Sequence, residues 1–329
     1  MCAMSTQPRR IIAVHDLSGY GSGSITTVLP VLAAAGFEVC PLPVAVLSAH
    51  TGVPGFTYRD LNPIWSEWLA HWRATLDRVD YIYTGFLSAP GQIKQVLDFV
   101  AAYPEAMLIV DPVMGDHGEI YPTYTPELCD AMAALTTHAE LLLPNLTEGC
   151  RLVNLPYPAY GRPDWPFIRR LLTKLYRAGA RQIVLKGISL HPVDLPPELT
   201  SLAEHRGEHL SNFIVGKDAN LTVVTHPRLP ISVDGSGDFF AANVIAKLYG
   251  STAPTPSVAS NGSSKRLIES VLYAIRLTMA ALSQTAPERE EYGLDFIPVW
   301  SNVLQTQSDS ALFPDKDIVI THIKDFKCE

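Results

Sequence analysis

Cysteine is scarce in this chain of 329 residues, and its five cysteines are scattered without a CxxC pair. We therefore expect neither a zinc site nor a disulfide framework. Basic residues are also in deficit, because 25 Lys and Arg stand against 33 Asp and Glu, for a net charge of −8. A generic nucleic-acid-binding surface would be basic, so this composition argues against nucleic acid as a partner.

Long apolar runs and targeting signals are missing as well. The N-terminal segment MCAMSTQPRRIIAVHD has two arginines, but only a short apolar strand follows them, which is not the pattern of a secretory signal. No apolar run is long enough to cross a bilayer, so no membrane partner is expected. Together with the unpaired cysteines, these absences predict a cytoplasmic protein.

What the sequence does contain is a regular alternation of short β-rich runs and helical patterns. The runs at residues 106–110 and 182–185 are continuous and apolar, as strands covered on both faces require. The alternation predicts βαβ units and a mainly parallel sheet, which is an α/β fold. No shift of composition marks a second domain. We predict one domain over residues 1–329, with peripheral tails at 1–9 and about 306–329 and a flexible Pro/Ser/Asn-rich loop at 251–265.

Polar residues and glycines follow the predicted strands. Ligands in such sheets bind beyond the carboxyl ends of the strands, so these residues predict one rim of one site. In chain order, the segments after the strands are GFLS at 85–88, DPVMGD at 111–116, PNLTE at 144–148, KG at 186–187, and DGSGD at 234–238 after a weaker extended piece at 231–233.

Three acids at this rim carry the oxygen atoms that magnesium prefers. Asp111, Asp116 and Glu148 can hold Mg²⁺ directly or through water. Lys186 ends an apolar strand at the same rim, where its ammonium can serve as a point charge for a phosphate. The alternative for Lys186 is an exposed lysine that points to solvent.

The GSGD segment opens an apolar helical pattern. Gly235, Ser236 and Gly237 would expose free N–H groups at the positive end of the helix dipole, which makes an anion site. GSGD lacks the Lys-Ser/Thr that follows in a P-loop, which argues against a Walker-type NTPase. Asp238 would lie in the first helical turn, where it can accept a proton from an attacking hydroxyl. An Asp at a helix start can also be a simple cap, so the catalytic interpretation depends on the joint occurrence of this segment with the other motifs at strand ends.

Taken together, the motifs resemble those of the pyridoxal/pyridoxamine kinases of the ribokinase-like superfamily, in particular the bacterial pyridoxamine kinase type. The resemblance runs from about residue 11 to residue 282. It implies a ribokinase-like three-layer α/β/α sandwich, usually a homodimer, that uses MgATP to phosphorylate a hydroxymethyl group on a small heteroaromatic ring. The motifs are HDLSGYG at 15–21, GFEV at 36–39, SAHTG at 48–52, TGF at 84–86, DPVMGD at 111–116, PNLTE at 144–148 and GSGD at 235–238.

The resemblance also implies roles for individual residues. Asp238 matches the catalytic base, and residues 235–237 match the anion hole. Asn145 and Glu148 match a motif that organises Mg²⁺ and phosphates, and Asp111 and Asp116 match acids near the metal and ATP. Asp111 and Glu148 are the implied metal ligands. Residues 115–125 match a flap over the site, and the implied vitamer-binding residues are Asp16, Ser18, Leu47, Thr51 and Phe86.

Three positions depart from the family pattern. Asp16 stands where many relatives have Ser, and Leu143 and Lys186 stand where the family commonly has Thr near metal or phosphate. These changes leave open the details of ion coordination, including a monovalent cation. Two alternatives to a B6 vitamer kinase also stay open. They are a hydroxymethylpyrimidine kinase of thiamine synthesis, whose substrate is a similar ring, and a non-catalytic ligand-binding homologue.

Overall fold

A ten-stranded sheet runs through the computed structural model, which describes residues 7–191, 193, 195–204, 209–250, 263–306, 317–324 and 326. A separate two-stranded hairpin is formed by β6 (Gly115–Asp116) and β7 (Glu119–Ile120). The strands of the main sheet are β1 (Arg9–Ser18), β2 (Phe37–Leu47), β3 (Tyr58–Asp60), β4 (Tyr81–Thr84), β5 (Met107–Val110), β8 (Ala139–Leu142), β9 (Ile183–Ile188), β10 (His209–Val215), β11 (Leu221–Pro227) and β12 (Val319–Ile323).

The strand order is β12-β11-β10-β9-β8-β5-β4-β1-β2-β3. The pairs from β2 through β1, β4, β5 and β8 to β9 are parallel, while β3, β10, β11 and β12 join antiparallel to their neighbours. The predicted mainly parallel sheet is therefore confirmed. Helices connect its strands: α1 (Ser24–Ala34), α2 (Asn62–Thr75), α3 (Pro90–Ala102), α4 (Pro126–Thr136), α5 (Leu146–Leu152), α6 (Trp165–Arg177), α7 (Ser236–Tyr249), α8 (Ser263–Gln284) and α9 (Ile297–Thr306).

Helices cover both faces of the sheet, and the side-chain alternation of the strands explains why. In β1, Ile11 and Ala13 pack into a core with α1, α7, α8 and α9, whereas Ile12 and Val14 pack into a second core with α2 to α6. Successive residues of a strand point to opposite faces, so an unbroken apolar run fills two cores at once. This arrangement confirms the predicted three-layer α/β/α sandwich.

The predicted extended piece at residues 231–233 is not a strand, and this interpretation was wrong. The segment before α7 is a loop that follows β11. Because β10 is antiparallel to β9 and β11 is antiparallel to β10, β11 runs in the same direction as β9. Two reversals of direction thus bring the end of β11, and the start of α7 after it, to the rim where the parallel strands also end.

The C-terminal segment and part of the predicted loop form regular secondary structure. Strand β12 pairs with β11, so the C-terminal segment predicted as peripheral supplies an edge strand. Helix α8 begins at Ser263, so residues 263–265 of the predicted loop are helical. The rest of that loop, 251–262, lies outside the described residues. Within the described ranges, no helix combines the length and apolar character needed to cross a membrane.

Candidate active site

A cavity of about 600 Å³ opens at the rim formed by the ends of β5, β8 and β9 and the start of α7. The structure brings together all the residues that were predicted for catalysis and for nucleotide or metal binding. Those lining the cavity are Asp111, Asp116, Asn145, Glu148, Lys186, Gly235, Ser236, Gly237 and Asp238. The residues that follow the strand ends therefore line one continuous pocket, as expected for a sheet of this kind.

The start of α7 has the geometry of an anion site. Gly235 adopts the left-handed conformation, with φ of 79°, and a Cβ there would overlap the backbone oxygen of Ser22. Phe239 N donates to Gly235 O at 2.9 Å, the first hydrogen bond of the helix. The N–H groups of residues 236–238 precede that bond and have no acceptor within the helix. They are available to an anion, and the helix dipole favours its negative charge.

Asp238 lies in this first turn with a donor near each carboxylate oxygen. Its Oδ2 accepts a hydrogen bond from Ser24 N at 2.7 Å, and its Oδ1 lies 3.2 Å from His15 Nε2. Burial alone would raise the pKa of Asp238, but the charge and hydrogen bond of His15 prevail and lower it below 3.8. The side chain is 14% exposed, so an ionised carboxylate remains accessible at the site.

Lys186 and Asp111 form a buried ion pair across the cavity floor. Lys186 Nζ donates to Asp111 Oδ1 at 2.6 Å, and the Asp111 side chain is fully buried. Burial would lower the pKa of Lys186, but Asp111 and Glu148 outweigh it and raise that pKa. Burial raises the pKa of Asp111, although Lys186 opposes the shift. Lys186 thus points into an acidic cluster formed by Asp111, Glu148 and Asp238, and the alternative of a solvent-directed lysine is excluded.

Asn145 and Glu148 form a capping box at the start of α5. Asn145 Oδ1 accepts from Glu148 N at 2.9 Å, and Glu148 Oε2 accepts from Asn145 N at 2.7 Å. Asn145 Nδ2 also donates to Gly115 O at 2.8 Å, which ties the β6–β7 hairpin to the rim. Burial raises the pKa of Glu148 well above its usual range, and Asp111 adds to this although Lys186 opposes it. The motif therefore fixes both the helix and the hairpin that carries Asp116.

The acidic cluster offers oxygen atoms of the kind that magnesium binds. Among the described residues, no group of three or more His, Cys, Asp or Glu side chains is placed to hold a metal alone. However, Asp111 Oδ2 is buried without a hydrogen-bond partner, so this oxygen can bind a cation. Mg²⁺ commonly keeps several waters and binds through one or two carboxylates plus substrate phosphates. The donor set fits an ion that arrives with a nucleotide.

Leu143 offers no ligand to such an ion. It is fully buried in the apolar core on the α7 and α8 face, so it contributes packing at the position where the family commonly has Thr.

The predicted vitamer-binding residues lie apart from this cavity, and none of the five lines it. Asp16 is buried at the end of β1, where Ser18 Oγ donates to its Oδ2 at 2.9 Å and Ser24 Oγ donates to its Oδ1 at 2.6 Å. Its Oδ1 also faces His15 Nδ1 at 2.9 Å. Both carboxylate oxygens are therefore engaged inside the protein, and Ser18 is one of their partners.

Leu47 and Phe86 pack in the core, and Thr51 is exposed in a turn. Leu47 is the register partner of Ser18, which places it beside the end of β1. Phe86 follows β4, the other neighbour of β1, and packs edge-on against Tyr124 with ring centroids 5.4 Å apart. Four of the five residues thus lie at or just after the ends of β1, β2 and β4, and Thr51 lies in the turn that follows β2.

Several candidate functional residues were not predicted from the sequence. Arg162 and Arg228 line the cavity, and Arg162 Nε is buried without a partner. Arg228 directly follows β11, so the strand-end rule applied to that strand would have found it. Arg162 follows a 3-10 turn, where no such signal exists. His15 belongs to the HDLSGYG motif at 15–21, but its contact with Asp238 could not be derived from sequence spacing.

Comparison with known proteins gives the site a context. The model of the family described as phosphomethylpyrimidine kinase matches residues 44–280. A pyridoxal kinase of Deinococcus radiodurans is 30% identical over 154 residues, which cover 44% of this chain and half of that relative. A pyridoxal kinase of Granulibacter bethesdensis is 28% identical over 252 residues, which cover 70% of this chain and 79% of that relative.

A solved structure covers nearly the whole chain. It is a protein from Bacteroides thetaiotaomicron named as a phosphomethylpyrimidine kinase, in a crystal form with pyridoxal. It is 27% identical, has a TM-score of 0.77 and covers 95% of this chain and all of its own. These matches confirm the resemblance inferred from the sequence motifs. The chain belongs to the phosphomethylpyrimidine kinase family.

Proposed function

We propose that this chain is a pyridoxal kinase, an ATP:pyridoxal 5'-phosphotransferase that phosphorylates the hydroxymethyl group of a B6 vitamer (pyridoxal, pyridoxine or pyridoxamine). One observation carries the proposal. An ionised Asp238 lies at the start of α7, where it lines the cavity and also contacts His15, whose ring meets the predicted ring-binding residue Asp16. Relatives named pyridoxal kinases, and a related structure with pyridoxal, support this choice of acceptor.

The cavity side supplies the groups that a nucleoside triphosphate requires. Lys186 provides a buried ammonium, and Arg162 and Arg228 add guanidinium groups to the lining of the same cavity. The free N–H groups of residues 236–238 would receive the transferring phosphate. Preorganised donors of this kind stabilise the charge that develops on phosphoryl oxygens during transfer.

Asp111 and Glu148 would hold magnesium together with the nucleotide. When bound, the ion neutralises charge on the phosphates. Asp111 offers its partnerless Oδ2, while its Oδ1 remains paired with Lys186. Glu148 accepts a hydrogen bond from Asn145 N, which holds its carboxylate toward the start of α5.

Asp238 would act as the general base. Its low pKa keeps the carboxylate ionised at neutral pH. It can therefore accept the proton of the acceptor hydroxyl as that oxygen attacks the γ-phosphate. The residual exposure of Asp238 leaves room for the hydroxyl to approach.

A panel of acceptors tests the proposal. Pyridoxal, pyridoxine, pyridoxamine and hydroxymethylpyrimidine are each incubated with MgATP and the full chain, and phosphorylated products are separated and identified by mass. We expect the highest kcat/KM with one of the three B6 vitamers. A higher value for hydroxymethylpyrimidine would make the chain the pyrimidine kinase that its family description suggests. ATP binding without any product would identify a non-catalytic homologue.

We also propose a cytoplasmic homodimer. Cys40, Cys129 and Cys150 are free thiols in the described part of the chain, as a reducing compartment favours. Leu17 and Val46 are exposed apolar register partners on β1 and β2, which supports an apolar contact at this end of the sheet. Light scattering of the purified protein measures the assembly, and a monomer at micromolar concentration would contradict the dimer.

A further inference from the structure

His15 joins two carboxylates in the interior of the protein. Its Nδ1 lies 2.9 Å from Asp16 Oδ1, and its Nε2 lies 3.2 Å from Asp238 Oδ1. The ring is 1% exposed, and besides the two carboxylates its nitrogens meet protein backbone rather than water: Asp16 N lies 3.0 Å from Nδ1 and Phe86 N lies 3.5 Å from Nε2. Ser18 and Ser24 donate to Asp16 from the other side and fix that carboxylate in turn. The chain of contacts runs from β1 directly to the proposed base.

The fold makes room for this ring at one position. A Cβ at Gly85 would overlap the His15 imidazole at Cγ, Cδ2 and Nε2. Gly85 has no left-handed conformation that would by itself require glycine. Its lack of a side chain therefore serves close packing against His15. The imidazole is held by a glycine on one side and by a carboxylate at each nitrogen.

We infer that His15 is a positioning residue whose imidazolium, clamped between Asp16 and Asp238, keeps the Asp238 carboxylate charged and correctly oriented toward the acceptor hydroxyl. This inference rests on the proposed kinase reaction. The imidazolium would donate from Nε2 to Oδ1, and Ser24 N donates to Oδ2, so the carboxylate cannot rotate without loss of a hydrogen bond. Each oxygen retains a second acceptor position, at which the hydroxyl proton can be received.

The electrostatics support a charged ring. Burial would lower the pKa of His15, but Asp238 and Asp16 outweigh it and raise that pKa to about 10. Asp238 is influenced by other groups as well. Lys186 on β9 lowers its pKa in the same direction as His15. Burial raises the pKa of Asp111, directly after β5, and of Tyr83 on β4, and the charge of Asp238 adds to both shifts. Among these groups only His15 forms a hydrogen bond with Asp238, which distinguishes it from a distant charge.

The His15→Gln variant separates charge from space filling. Its side-chain amide can still donate a hydrogen bond to Asp238, but it carries no positive charge. We expect kcat to fall about 10- to 100-fold, as for a misplaced catalytic group, while KM for ATP and for the vitamer changes by less than about threefold. The acid limb of the kcat/KM profile should move to higher pH, because the cation that lowers the pKa of Asp238 is gone. A residue that only fills space would not move that limb.

Gly85→Ala displaces the ring without removing it. We expect the same loss of kcat with His15 still present, because the new methyl group and the imidazole cannot occupy one space. Gly91→Ala is the matched control, since a Cβ at Gly91 would meet only Asn62 side-chain atoms at 3.7 and 4.0 Å. That control should retain wild-type kcat. Melting temperatures of the three variants check that each is folded.

A spectroscopic measurement is independent of turnover. Nitrogen-15 NMR of labelled imidazole rings reports whether His15 carries protons on both nitrogens. We expect the doubly protonated form at pH 8, with titration only near pH 10, and a neutral ring at pH 8 would overturn the inference even if a variant failed to fold. The inference would also be overturned if folded His15→Gln and Gly85→Ala variants kept the wild-type kcat and if the acid limb of the kcat/KM profile of His15→Gln did not move. By contrast, wild-type protein that phosphorylates no acceptor would count against the proposed function, while the NMR result would still stand.

Discussion

Lys186 Nζ and Asp111 Oδ1 lie 2.6 Å apart, in an ion pair between β9 and the segment that follows β5. The lysine side chain is 13% exposed and the aspartate side chain is not exposed at all. A fixed ammonium therefore lies inside the acidic cluster, where its charge also acts on Glu148 and Asp238. In the proposed reaction, this ammonium would meet the phosphates of a nucleotide in the cavity.

Replacement of Lys186 should affect ATP more than the vitamer. In Lys186→Ala we expect the Kd for ATP to rise about tenfold or more, because one charged hydrogen bond is lost. The Kd for the vitamer should change little. Calorimetric titration of both ligands measures the two constants. Lys94→Ala is a control, since Lys94 forms an exposed i,i+4 pair with Asp98 that is worth only a few tenths of a kcal/mol. An unchanged ATP affinity in Lys186→Ala would remove Lys186 from the nucleotide site.

Gly235 should tolerate no side chain. Gly235→Ala would place Ala at φ of 79° and its Cβ against Ser22 O, at the turn that forms the anion site. We expect a lower melting temperature and a loss of kcat. Gly55→Ala shares a φ of 79° but meets nothing within 4 Å, so it should show only the backbone cost of about 1–2 kcal/mol. Equal effects of the two substitutions on melting temperature and kcat would show that the contact with Ser22 is unimportant.

The His15–Asp238 pair should make stability depend on pH in both directions. The pKa of His15 is raised from 6.5 to about 10, so its contribution to the free energy of unfolding is fully present below pH 6.5 and lost as the pH rises toward 10. The pKa of Asp238 is lowered from 3.8, so its contribution is present above pH 3.8 and lost as the pH falls further.

Urea denaturation of wild type and His15→Gln between pH 6 and about 10 measures this dependence. We expect the difference in unfolding free energy between the two proteins to shrink as the pH rises, because the wild type alone loses the imidazolium. A constant difference across this range would contradict a charged His15 in the folded state.

Much of the rim was predictable because local patterns determine where strands end. The apolar run at β5 predicted a buried strand, and the turn after it placed Asp111 and Asp116 at the carboxyl edge. The same reasoning placed Asn145, Glu148 and Lys186. It also predicted residues 235–238 at this rim. The strand expected at 231–233 is absent, and these residues reach the rim because the chain reverses direction at β10 and again at β11.

The contacts between side chains from distant segments could not be predicted in this way. The approach of His15 to Asp238 depends on how β1 lies against α7, which no local spacing encodes. The same holds for Asp16, whose oxygens accept hydrogen bonds from Ser18 and Ser24. Arg162 reaches the cavity from a loop whose path is determined by tertiary packing. Sequence patterns therefore predicted the strands and the residues at their carboxyl ends. The partners of the buried charged side chains became known only from the structure.

Asp238→Asn tests the central claim most directly. Asn keeps the size of the side chain and can remain at a helix start, but it cannot accept the proton of the hydroxyl. With MgATP and the preferred B6 vitamer, we expect the rate of 5'-phosphate formation to fall by about 10²–10⁴-fold, while the affinities for both substrates stay close to wild type. Near-normal turnover in a folded Asp238→Asn variant would show that Asp238 only caps α7, and would contradict the proposed mechanism.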